Sequence, residues 1–85
     1  MSFDHADFLA HPKKYEMYKT AKIATHVFTN DGRHDLPAGE IVGVQYRTTA
    51  YCSTRRRYEP VYTVTLQDNS VWGDMYAAHL TRFVL

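Results

Sequence analysis

The sequence predicts a mainly β fold, a small five-stranded barrel preceded by a short helical arm. Three observations carry this. From Thr20 onward, apolar and β-branched residues recur with a period of two. Turn-forming residues interrupt that pattern at short intervals. The chain has 85 residues, enough for one core and no second. The expected division is an arm over residues 1–19 and the barrel over 20–85.

Ser2 or Asp4 is placed to cap a helix running to Leu9 or Ala10, with Asp7 in its first turn. Phe3, Phe8 and Leu9 give that helix an apolar side, and Pro12 ends it. Lys13 to Tyr18 resumes as another helical turn, and the arm is expected to pack across an open end of the barrel. Lys22 to Thr29 reads as the first strand. Asn30-Asp31-Gly32 and Leu36-Pro37-Ala38-Gly39 are two turns, Pro37 fixing φ and Gly39 relieving it. Glu40 to Tyr51 is the longest strand candidate, with Gly43 marking a bend or a close backbone approach. Cys52 to Tyr58 reads as a loop. Glu59 to Gln67 follows as a strand, with Pro60 at its start or on an edge. Gln67 to Ser70 turns the chain into Val71-Trp72, which Gly73-Asp74 interrupts. Met75 to His79 forms a single helical turn, and Leu80 to Val84 is the last strand.

Composition narrows the function classes. Ten Lys and Arg stand against nine Asp and Glu, without the basic excess of a general polyanion binder. Cys52 is the only cysteine, which excludes an internal disulfide and a four-thiolate zinc site. An unpaired thiol fits a reducing cytoplasm. No apolar run nears the roughly 20 residues that span a bilayer, and no membrane association is expected. A domain this small buries only about 60% of its unfolded surface, so self-association is the expected supplement to its stability. Seven tyrosines, four phenylalanines and one tryptophan are many for such a chain, and some can line a binding surface.

The order of elements over Thr20 to Leu85 resembles an SH3-like barrel. The turn Leu36-Pro37-Ala38-Gly39-Glu40-Ile41-Val42 and the tail Tyr76-Ala77-Ala78-His79-Leu80-Thr81-Arg82-Phe83 carry the likeness. It implies a first strand with a long excursion, a three-stranded meander, and a helical turn before the closing strand. Peptide-binding SH3 domains carry an aromatic motif of the "ALYDY" type in the first strand. Here Ala24-Thr25-His26-Val27-Phe28 lacks the tyrosine pair, so binding of proline-rich ligands is not expected. The chain is also similar in length and architecture to the plasmid-borne type II dihydrofolate reductases, tetramers around a shared pore. Where their pore motif reads Val-Gln-Ile-Tyr, this chain has Gly73-Asp74-Met75-Tyr76, and only Tyr76 matches. The resemblance implies an origin on a bacterial mobile element and, through Tyr76, an inter-subunit small-molecule site.

Arg55-Arg56-Arg57, flanked by Tyr51 and Tyr58, pairs phosphate-binding guanidiniums with rings on which bases stack. Lys13, Lys14 and Lys19, interleaved with Tyr15 and Tyr18, form a second basic-aromatic cluster. The ordinary alternative is a solvated hairpin tip whose arginines resist edge pairing. Trp72, beside the Gln67–Ser70 turn, fits a core, a dimer contact or a groove floor. The five histidines show no metal-site spacing. Asp31, Asp35 and Asp68 fall in turns, where aspartate bonds its own backbone. Cys52 has no local partner beyond the nearby arginines. The reading is therefore a non-enzymatic module without a cofactor, binding a protein partner and a second copy of itself. Single-stranded nucleic acid held by Arg55–Arg57 is the alternative.

Overall fold

The computed structural model describes residues 3–27 and 35–85. Two short helices come first, α1 (His5–Ala10) and α2 (Pro12–Tyr15). Five strands follow: β1 (Thr20–Ile23), β2 (Ile41–Cys52), β3 (Arg57–Thr65), β4 (Val71–Tyr76) and β5 (Leu80–Val84). A 3₁₀ turn, Ala77–His79, joins β4 to β5. Ser2, the end of the expected first strand at Phe28-Thr29, the Asn30–Gly32 turn, Arg33 and His34 lie outside the described residues.

The arm forms as its caps dictate. Asp4 accepts hydrogen bonds from the backbone N–H of Ala6 and Asp7, satisfying donors that a helix start leaves open. Pro12 ends α1 and then serves as the first residue of α2, where its missing N–H costs nothing. Phe8 and Tyr15 are buried between arm and sheet, their rings 5.5 Å apart and nearly perpendicular.

The strands form one antiparallel sheet in the order β4-β3-β2-β1-β5. The fold is mainly β, as expected, but the ladder ends on β4 and β5, so the sheet does not close into a barrel. It is nevertheless coiled, by a simple argument from reach. Four inter-strand steps of about 4.8 Å would separate the edges of a flat sheet by roughly 19 Å. Only the 3₁₀ turn links Tyr76 to Leu80, and four residues reach at most about 14 Å. The sheet must therefore bend its two edges toward each other. β2 makes this possible: its start pairs with β1, and from Gly43 onward it pairs with β3, with a register shift between Tyr46 and Thr48. The irregularity lies at Tyr46–Thr48 rather than at Gly43, where a side-chain Cβ would meet its neighbours at no less than 3.5 Å, so no close backbone approach is found there.

Inside the curl lie Ala21, Ile23, Leu36, Val42, Val44, Tyr62, Val64, Met75, Ala77 and Leu80. β1 is shorter than expected, because the chain bends at Ala24-Thr25 and only Val27 returns to pair, with Leu36. The Pro37–Gly39 turn forms as read, with the Glu40 N–H bonded to the Pro37 carbonyl and Gly39 at φ +90°. Pro60 sits within β3 rather than at its start. It is tolerated there because β4 pairs with β3 only from Val61 onward, leaving the Pro60 outer side without a ladder. Gly73 and Asp74 do not interrupt β4 but belong to it; Gly73 adopts φ +138° where the β3–β4 register shifts. Met75 and Tyr76 are strand residues, which confines the helical turn to Ala77–His79.

Candidate functional site

The long β2–β3 ladder carries most of the candidate residues to one place. Tyr51 stands directly opposite Tyr58, so both rings share one face, while the neighbouring pairs Ala50–Glu59 and Cys52–Arg57 occupy the other. Tyr51 is 51% exposed and Tyr58 61% exposed, and their rings meet at 5.4 Å in an edge-to-face arrangement. The backbone beneath them is held from both sides. The Tyr76 hydroxyl donates to the Tyr51 carbonyl at 2.9 Å. His5 Nε2, from α1, donates to the Tyr58 carbonyl, also at 2.9 Å.

The arginine triplet does not form one basic surface. Its turn is tight, since Cys52 and Arg57 already belong to strands and only Ser53 to Arg56 lie between them. Arg55 and Arg57 converge on Glu59, which is completely buried. Arg55 Nε donates to Glu59 Oε2 at 2.6 Å and Nη2 to Oε1 at 3.2 Å; Arg57 Nε donates to Oε2 at 2.7 Å. The Ala78 N–H also points to Oε1, at 3.3 Å. Burial alone would raise the Glu59 pKa, but the bonds from Arg55 and Arg57 outweigh it and hold the carboxyl below its ordinary value. Arg55 also lies over the Tyr76 ring and Arg57 over the Phe3 ring. The cluster is a structural clamp joining the hairpin to the 3₁₀ turn and the arm.

Arg56 alone of the three is exposed and makes no ion pair with a described residue; it occupies the turn tip at φ +54°. Trp72 is half-buried and packs against the core, apart from the tyrosine pair. Tyr76 contributes through its hydroxyl bond, so it supports the pair from below. Cys52 is buried, and His79 lies close enough to Arg55 that burial and that positive charge both lower its pKa. Among the described residues no group of three or more His, Cys, Asp or Glu side chains could hold a metal ion, and no helix is long and apolar enough to cross a membrane.

Glu59 escaped the sequence reading. Its signal was nonetheless present, since a carboxylate two and four residues after arginines on a returning strand is positioned to meet both. His5 left no such signal, because its contact with Tyr58 bridges distant parts of the chain. Comparison with protein-family models, with curated proteins and with solved structures finds no match.

Proposed function

We propose that the chain is a non-enzymatic interaction module that docks a protein surface, in the first place a second copy of itself, through the Tyr51–Tyr58 pair. One observation carries the reading: two large aromatic rings stand more than half exposed on backbone that is bonded from two directions. Aromatic side chains dominate the energetics of protein interfaces, and pre-ordered ones bind at lower entropic cost. Commitment of Arg55 and Arg57 to Glu59 favours a protein partner over a nucleic-acid path, which would draw on all three guanidiniums. The strand order and the 3₁₀ turn before β5 support an SH3-like assignment. A buried, unpaired Cys52 supports a cytoplasmic setting.

Sedimentation velocity over a broad concentration range tests the proposal. The wild-type chain should shift from monomer toward dimer, and Tyr51→Ser with Tyr58→Ser should stay monomeric at an unchanged melting temperature. A wild-type chain that remains monomeric throughout would refute the self-docking reading. Salt-dependent retention of single-stranded DNA, lost on Arg56→Glu, would favour nucleic acid instead.

A further inference from the structure

β5 leaves its regular ladder at one point. Its register against β1 shifts between Thr20–Val84 and Lys22–Thr81, so Arg82 and Phe83 together oppose Ala21. Arg82 takes φ +51°, a conformation that L side chains other than Asn and Asp seldom adopt. Such bulges re-aim a side chain, and backbone strain held by its surroundings is characteristic of binding sites. Arg82 here lines a groove of about 770 Å³ between the arm and the β1–β5 edge. That volume lies within the roughly 300–1,000 Å³ of sites that take small molecules.

The groove has an aromatic wall and uneven charge. Tyr18 and Phe83 meet at 5.0 Å with their planes tilted by 36°. The carboxylates that line it are already engaged: Asp7 by Lys14 at 2.7 Å and by the Tyr15 hydroxyl at 2.6 Å, Asp4 by the α1 backbone. Lys22 and Arg82 also line it, and neither side chain makes a hydrogen bond or ion pair with a described residue. Two cations without a described carboxylate partner, beside two half-buried aromatic rings, match a ligand that is negative at one end and flat at the other.

We infer that this groove binds a small anion bearing a planar ring, the anionic group held by Lys22 and Arg82 and the ring laid against Tyr18 and Phe83. A nucleoside monophosphate and an aromatic carboxylate share this chemistry. The site is separate from the Tyr51–Tyr58 pair, and neither proposal depends on the other.

Two-dimensional NMR titration of the full chain tests it, with adenosine monophosphate, indole acetate, adenosine and inorganic phosphate as probes. Saturable shifts are expected at Tyr18, Lys22, Arg82 and Phe83 with one or both ring-bearing anions, and the stronger of the two identifies the source. Loss of one charge-assisted contact, in Lys22→Gln or Arg82→Gly, should weaken binding about tenfold. Arg82→Gly keeps the test independent of folding, because glycine suits φ +51° and should leave the melting temperature equal or higher. The inference is overturned by unsaturable shifts with every probe, by unchanged affinity in Arg82→Gly, or by inorganic phosphate or adenosine binding as tightly as the ring-bearing anions. Tyr51→Ser with Tyr58→Ser should bind these probes like wild type.

Discussion

The Tyr62 hydroxyl, fully buried in β3, donates a 2.6 Å hydrogen bond to the main-chain carbonyl of Tyr15 at the end of α2. This bond latches the helical arm to the centre of the sheet, and the Tyr15, Tyr18 and Phe83 rings pack around it. Removing the hydroxyl in Tyr62→Phe leaves a buried carbonyl without its partner, at a cost of about 1–3 kcal/mol. Urea unfolding should show that loss, and hydrogen exchange should accelerate in α1 and α2 before it does in β2 and β3. Uniform exchange across the chain would refute the latch.

The Glu59 clamp predicts a larger effect. Neutralising the acid in Glu59→Gln leaves two guanidiniums facing a buried amide, and removal of one partner from a buried ion pair typically costs about 3–5 kcal/mol. A domain of this size has little margin, so the variant should melt far below wild type or fail to fold. Arg56→Gln, a change at the neighbouring uncommitted arginine, should leave stability within about 0.5 kcal/mol. Equal effects from the two substitutions would remove the basis for the clamp.

Acid should destabilise the protein in two steps. Burial lowers the His79 pKa, and nearby Arg55 lowers it further. The unfolded chain therefore takes up a proton there first, and stability declines as pH drops below the ordinary histidine value of about 6.5. The Glu59 carboxyl is also held low in the fold, so its contribution is present above the ordinary glutamate value of about 4.3 and lost as pH falls through the depressed folded value. Thermal unfolding at stepped pH should record both declines, and His79→Gln should abolish the upper one. The buried Tyr62 hydroxyl has its pKa raised, chiefly by desolvation, so stability should fall again as pH rises beyond about 10.

Two turn residues adopt left-handed backbone, Arg56 at φ +54° and Asn69 at φ +70°. Asparagine tolerates this region far better than arginine. Arg56→Gly should therefore stabilise the domain by about 0.5–1 kcal/mol, and Asn69→Gly by much less. At this chain length the first change should raise the melting temperature by about 2–8 °C. A lower melting temperature for Arg56→Gly would mean that the side chain supplies a stabilising contact.

Local signals explain what was legible from sequence. Asp4, Pro12, Pro37 and Gly39 act through their own backbone neighbourhood, so the α1 cap, its stop and the turn before β2 were readable. Alternation disclosed β3 for the same reason. The errors all arise where distant pairing overrides local preference. Gly73 and Asp74 look like a break, yet the β3 ladder carries the strand through them, and Asp74 pairs with Arg47 and accepts from Thr63. The open sheet was read as closed because alternation reports which face is apolar and says nothing of which edges meet. Tyr51 and Tyr58 were singled out beside the arginines, but their cross-strand pairing and the convergence of Arg55 and Arg57 on Glu59 depend on the β2–β3 register, which composition does not give. Charge counted along a chain does not reveal that a single buried carboxylate absorbs two of three cations.

The seam between β1 and β5 has a consequence for how the molecule is made. Thr20, at the threshold of the sheet, is hydrogen-bonded territory shared with Val84, near the far terminus. Contacts joining such remote stretches are slow to form, because an extended loop must be closed before they bring any gain. The hairpins from β2 to β4 can assemble early, but the seam waits for synthesis of the final strand. During translation the growing chain therefore carries an unsealed β1, and nascent molecules are most prone to pair with one another at that stage.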